Sequence, residues 1–363
     1  MRQRAFTCIS ACLLLGANVA PLVSAESITL HVSSGGDVSG DGAQASPFGS
    51  LADAQRRVRQ LVAAGSATSI RVEISAGDYL LDAPWTLTAE DASPACPVAY
   101  VGVDDVREDS ARRGVVISGG MSAGAWSEEA ARWEATLPSL DATNASQPNS
   151  SALRIRDLWV GGRRATRCRA PNDGYFRIAA AGPDRRTSFS VEPGDLLDLA
   201  HPDEAEAVYL HDWSISRAPL ESIDASALSY KTTANIGGDM PQFAIGSFEP
   251  HARYFIEGAL ETLDAPGEWH ADRSSRKLLY IPREDDDPRL AAVVPRLDQL
   301  LVVRGDDRGA ASHLTFENLT FRYSRFELPP FGYAGIQSNW YERRQTRDDF
   351  AGISMRAAVE LDR

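Results

Sequence analysis

Apolar and polar positions alternate along short stretches of this chain, the period of half-buried strands rather than long helices. Ile70-Arg71-Val72-Glu73-Ile74 is the cleanest example, and Ile28–Val32, Trp85–Thr88, Val98–Val101, Val115–Gly120 and Leu300–Gly305 read as further strands, each closed by turn residues. In His313–Phe321 the alternation passes through Leu314 and Phe316, and Asn318 breaks phase where a corner tolerates left-handed backbone. A 3.6-residue period occurs twice. Leu51, Ala54, Val58, Leu61 and Val62 predict an amphipathic helix stopped by Gly65, and Phe255, Ile256, Ala259, Leu260 and Leu263 predict a second, stopped by Pro266-Gly267. After the second stop, Trp269 precedes Leu278–Ile281, a buried strand ended by Pro282.

The middle of the chain has another texture. From about Trp126 the rung-like spacing is lost, and Ser139–Ser151 reads as an exposed loop. Leu153–Val160, Gly161-Gly162 and the arginine-rich Arg163–Arg169 then read as a strand, a turn and a return strand of an antiparallel hairpin. Between Arg322 and Phe350 aromatic residues crowd together. Tyr323, Tyr333, Gln337, Trp340 and Tyr341 in this loop are the candidate substrate-binding residues. Sugars present apolar CH faces beside hydroxyls, so rings with a nearby amide suit them, whereas the alternative is packing of the loop onto the body. Ala357–Leu361 opens one more strand.

Arg2 and Arg4, the apolar Ile9–Ala20 and the small-x-small Val23-Ser24-Ala25 predict an export signal cleaved after Ala25, placing the protein outside the cell or in a periplasm. The apolar run is too short and interrupted for a membrane span. Removing residues 1–25 takes two arginines and no acids from 37 basic and 50 acidic residues, moving the net charge from −13 to −15. Such an acidic chain is a poor partner for nucleic acid. Cys8 and Cys12 leave with the signal, and Cys96 and Cys168 either pair or sit buried.

Asp264, Pro266, Gly267, Glu268, Trp269, Asp272, Tyr280 and Pro282 resemble the "DAPGEW…D…LYY.P" segment of secreted parallel β-helix proteins, above all glycoside hydrolases of family 141, which include fucosidases and xylanases. His270 stands where that family usually has an aromatic residue, and Gly332, Tyr333, Gly335, Ile336 and Gln337 resemble its "G..GIQ" loop. The resemblance implies an all-β, right-handed parallel β-helix with an N-terminal capping helix and an inserted antiparallel β domain. It divides the chain into a signal (1–25), a cap and first rungs (26–125), an inserted domain (126–290) and a resumed helix (291–363). It implies a polysaccharide or oligosaccharide substrate of plant or algal origin, hydrolysed without a cofactor. The catalytic acids of such enzymes lie beyond the matched region, so no Asp or Glu here inherits that role, and the chain reads as a shortened form lacking those rungs. A polysaccharide lyase and a non-catalytic carbohydrate-binding protein on the same scaffold are the alternatives.

Other chemistry-bearing residues read less sharply. Asp37 and Asp41, in a Gly/Asp loop, either hold calcium or form turns. His211-Asp212-Trp213 sets an acid/base beside a carboxylate, but neighbours on a strand face opposite ways. Glu284–Asp287 either recruits a cation or, more simply, forms a solvated acidic turn, and the six histidines lack metal spacing, so no metal site is assigned.

Overall fold

The computed structural model of the chain describes residues 26–37, 39–103, 114–129, 131–138, 155–211, 214–233, 244–247, 249–326, 328, 341–343, 351–353 and 356–362. Among these the chain is nearly all β, with one α-helix. The export signal falls outside the described residues.

Three parallel sheets share one core. Glu26–Asp37, Ala67–Ser75, Val98–Val103 and Leu314–Glu317 lie side by side in that order. Gly77–Leu80, Val115–Ser118 and Leu319–Arg322 form the second sheet, and Trp85–Leu87, Leu301–Arg304 and Val359–Asp362 the third. The chain visits them in rotation: Ala67–Ser75, Gly77–Leu80 and Trp85–Leu87 on one pass, then Val98–Val103, Val115–Ser118 and Leu301–Arg304 on the next. In-register pairing stacks like on like. Val72, Tyr100 and Phe316 align across three strands, and the rings of Tyr100 and Phe316 stack at 5.9 Å while Trp85 meets Tyr100 edge-on at 4.8 Å. Asn318 turns the corner between Leu314–Glu317 and Leu319–Arg322 at φ +55°, as its sequence position predicts.

The first amphipathic pattern forms the helix Leu51–Ala64. Ser50 caps it by accepting the Asp53 N–H, and Gly65 ends it at φ +60°. Leu51, Ala54, Val58 and Leu61 are buried in the core of the parallel sheets.

A large insertion interrupts the second pass. Gly120–Ser122 leads out, Ala292–Pro295 leads back, and the two pair antiparallel. Between them, Thr166–Arg167, Glu268–Asp272, Lys277–Tyr280, Arg132–Thr136 and Ser127–Glu129 make a mostly antiparallel sheet around Trp133, Trp269 and Tyr280. Six strands close a barrel: Arg253–Glu257, Phe176–Ala181, Ser188–Val191, Ser229–Thr232, Ile215–Asp224 and Glu206–Leu210, which pairs back to Arg253–Glu257. Closure removes the unpaired edges an open sheet would expose. Phe189, Tyr209, Tyr230 and Tyr254 pack against one another inside it.

Three expectations need correction. The second helix does not form: Arg253–Glu257 is a barrel strand, followed by a 3₁₀ turn at Leu260–Thr262. Tyr254 and Ile256 face the barrel core while Phe255 and Glu257 are buried on its outside, so both faces of the strand are covered and the unbroken apolar run imitates a helix. The return strand Arg163–Arg169 is broken into Arg163–Arg164, Thr166–Arg167 and Arg169–Ala170, each in a different sheet. Within the aromatic loop, Tyr341–Arg343 is a short strand paired antiparallel with Ala351–Ile353. Of the two alternatives left open for Cys96 and Cys168, the structure has the second: both are free and buried.

Candidate functional site

The outer face of the closed barrel carries Glu206, Arg217 and Glu257, because along these strands Ala207, Tyr209, Ala218 and Ile256 take the inner face. Facing them, the segment before the short hairpin supplies Arg156 and Asp157, and the broken strand after it supplies Arg164 and Arg167. Phe326, just past the parallel strand Leu319–Arg322, closes one side. The result is a cleft of about 340 Å³ where barrel, hairpin and parallel sheets meet.

Its ion pairs are dense. Arg156 donates from Nη1 and Nη2 to the two oxygens of Glu206 at 2.5 and 2.8 Å. Nη1 of Arg167 reaches Glu206 at 2.5 Å and Glu257 at 2.9 Å, and Arg217 donates to Glu257. Arg164 pairs with Asp157 through Nε at 2.9 Å. Glu206 is fully buried; burial alone would raise its pKa, but Arg156, Arg167 and Arg217 hold it well below the usual carboxylate range. Burial, with Arg156 and Arg167 nearby, pushes Arg217 down to about 10. Held as an anion in this way, Glu206 orients and balances charge; it is unsuited to donate a proton to a leaving group.

The block that carries the family resemblance is structural. Glu268 accepts the backbone N–H of Asp264, Ala265 and Arg169 at 3.1 to 3.2 Å, locking the turn to the neighbouring strand. Gly267 sits at φ +88°, Trp269 and Tyr280 fill a core, and Tyr280 donates to Asp286 at 2.5 Å. Asp272 shapes the hairpin by accepting from Ser274 and Ser275. These residues read as a signature of fold, not of chemistry.

His270, at the variant position, lies between Cys168 (Nδ1 to Sγ, 3.9 Å) and Glu204 (Nε2 to Oε2, 3.7 Å). The order mimics a nucleophile, base and acid. Burial defeats it: the imidazole is pushed down to about 4, the thiol up to about 11, and neither reaches the surface.

Of the candidate substrate-binding residues, Tyr323 is part of a ring cluster, its centroid 5.3 Å from Trp159, with the Arg322 guanidinium 4.8 Å above it. Tyr341 belongs to a strand. Tyr333, Gln337 and Trp340 lie outside the described residues. The Gly/Asp loop uses Asp37 and Asp41 as turn formers, accepting from Ser39 and Ala43 at 2.9 Å. His211 bonds Ser216 at 2.8 Å; Asp212 and Trp213 are outside the described residues. In the acidic turn, Asp285 pairs with Arg163 and Asp287 with Arg289. Sequence reasoning missed the arginine-lined cleft because its members are far apart in the chain; the only signal was the arginine density of 163–169.

Residues 139–283 match the family model of the GH141 insertion domain. No curated protein matches the sequence. A solved structure named "Glycoside hydrolase" superposes with a TM-score of 0.73 at 23% identity, over 92% of this chain and 59% of that one. A second, "The complex structure of XylC with xylose", gives a TM-score of 0.34 at 12% identity, over 82% of this chain and 35% of that one. No helix among the described residues is long and apolar enough to cross a membrane. The chain is thus similar to glycoside hydrolases, in its middle segment by the GH141 insertion domain and throughout most of its length by fold, while spanning 59% of the solved chain it superposes on.

Proposed function

We propose that the protein is a secreted, carbohydrate-active β-helix protein of the glycoside hydrolase type, acting on plant or algal polysaccharide. The observation that carries this reading is the GH141 insertion domain match, which falls on the segment containing the barrel. The three parallel sheets, visited in rotation around one core, support a right-handed parallel β-helix capped by Leu51–Ala64. On this reading residues 26–125 are the cap and first rungs, 126–290 the insertion and 291–363 the resumed helix, with export directed by residues 1–25.

A second reading has its own support. The carboxylates lining the cleft are committed to arginines, which favours a carbohydrate-binding role without bond cleavage there. The experiment is release of reducing sugar by the purified chain from xylans, fucosylated glycans and pectins, run beside binding to the same glycans by affinity electrophoresis. Release of sugar supports the hydrolase; retardation without release supports the binding protein. Absence of both release and retardation on every glycan removes the carbohydrate reading.

A further inference from the structure

We infer that the cleft bounded by Arg156, Arg164, Arg167, Arg217, Glu257 and Phe326 binds the anionic group of a charged sugar, a uronate or a sulfate ester. The choice of a sugar rests on the function proposed above; the choice of an anion rests on the cleft alone.

Charge is the first argument. Four guanidinium groups, those of Arg156, Arg164, Arg167 and Arg217, meet three carboxylates, those of Asp157, Glu206 and Glu257. Among the described residues one positive charge is left over, in a protein whose net charge is −13. Glu206 lies fully buried behind the arginines, so the face toward solvent is more positive than the count implies. Arg167 and Arg217 share the Glu257 carboxylate, and a partly buried guanidinium that shares its counter-charge still attracts an oxyanion, since low local polarity magnifies the attraction.

The second argument is donor geometry. Among the described residues, Arg217 bonds to carboxylate through Nη1 alone, leaving Nε and Nη2, the planar fork that grips a carboxylate or sulfate by two parallel bonds. Arg156 is fully engaged with Glu206 and acts as scaffold. Burial, with Arg156 and Arg167 alongside, lowers the Arg217 pKa to about 10, the mark of a guanidinium taken out of water beside other cations.

Shape supplies the third argument. Phe326 puts an apolar wall beside the charged floor, and Thr166 adds a hydroxyl on the rim. A pyranose ring carries both an apolar face and, in a uronate or sulfated sugar, an anion at its edge. A volume of about 340 Å³ admits one or two such rings. A neutral sugar would leave the excess cation unmet.

The test is isothermal titration of the purified chain with D-glucuronate, D-glucose 6-sulfate and D-glucose at low ionic strength. At least one charged sugar binds about tenfold or more tightly than glucose, and Arg217→Gln erases that preference. Whichever charged sugar binds more tightly identifies the anion. Arg164, whose side chain is 62% exposed, provides a variant that keeps the fold if Arg217→Gln does not: Arg164→Gln weakens charged-sugar binding several-fold while the chain still melts in one cooperative transition. Equal affinity for glucose and both charged sugars overturns the inference, as does a charged-sugar affinity untouched by both substitutions. Heat of binding is read without bond cleavage, so a protein that binds glucuronate but releases no sugar keeps this site and loses only the hydrolase reading.

Discussion

Glu206 and Glu257 stand directly opposite each other on adjacent antiparallel strands of the barrel, and one atom, Nη1 of Arg167, bonds both carboxylates. Like charges facing across a sheet repel. Here the repulsion is offset by Arg217 of the barrel itself and by Arg156 and Arg167 from the neighbouring segment. Glu206→Gln leaves Arg156 and Arg167 without their buried counter-charge and is expected to cost about 3–5 kcal/mol, read from urea unfolding. A loss below about 1 kcal/mol would show the cluster to be solvated in solution.

Acid sensitivity follows from His270. Its unfolded imidazole titrates near 6.5, and burial lowers the folded value to about 4, so the unfolded state binds the extra proton between those values. The contribution of this group to stability therefore falls as pH drops from 6.5 to about 4 and levels off below, a loss of about 3 kcal/mol. His211, also lowered to about 4 by burial, adds to the same limb. Melting followed by circular dichroism from pH 7.5 to 4.5 shows the decline, and His270→Gln makes it shallower. A variant whose profile parallels the parent's would place the sensitivity elsewhere.

Gly267 tests the signature block. At φ +88°, with an added Cβ only 2.8 Å from Nε of Arg283, Gly267→Ala strains the backbone and displaces the guanidinium that bonds the Arg164 carbonyl. The expected loss is about 1–3 kcal/mol. Gly114→Ala, with nothing within 4 Å, is the matched control and changes the denaturation midpoint little.

Gly102 tests the stacking of the parallel strands. A Cβ there would meet the Asn318 carbonyl oxygen at 2.3 Å, backbone against backbone, with no rotamer to relieve it. Gly102→Ala is expected to destabilise by about 2–3 kcal/mol, whereas Asn318→Ala, which keeps the space but loses a residue tolerant of φ +55°, costs about 1 kcal/mol. If the two rank in reverse, the strands are looser than their register implies.

The sequence made the parallel strands legible because their burial is one-sided or nearly so. Ile70, Val72 and Ile74 alternate cleanly with Arg71 and Glu73, and Ser50 and Gly65 frame the helix with unambiguous caps. Where a strand is covered on both faces, the period disappears. Glu206–Leu210 and Arg253–Glu257 are buried nearly throughout, and nothing in their local pattern says that Tyr209 faces one core while Glu206 faces a cluster of arginines. The candidate cleft was illegible for a related reason. Arg156, Glu206, Arg217 and Glu257 are brought together by barrel closure, a long-range event that leaves no local spacing to find. The conspicuous motif around Trp269 drew attention through its turn chemistry, and turn chemistry is what it performs.

The antiparallel clamp between Gly120–Ser122 and Ala292–Pro295 also sets an order of events. In an unfolded chain, Leu301–Arg304 must find its place on the same pass as Val115–Ser118 across the whole intervening segment, and closing so long a loop is entropically unfavourable. Once the insertion has folded and the clamp has formed, the open loop shrinks to a few residues, saving about 2–3 kcal/mol of chain entropy. The insertion is then a nucleus for the strands that follow it: amides of Ile215–Asp224 and Arg253–Glu257 gain protection from hydrogen exchange before those of Leu301–Arg304, and a chain whose barrel is slow to close is slow to complete its parallel sheets.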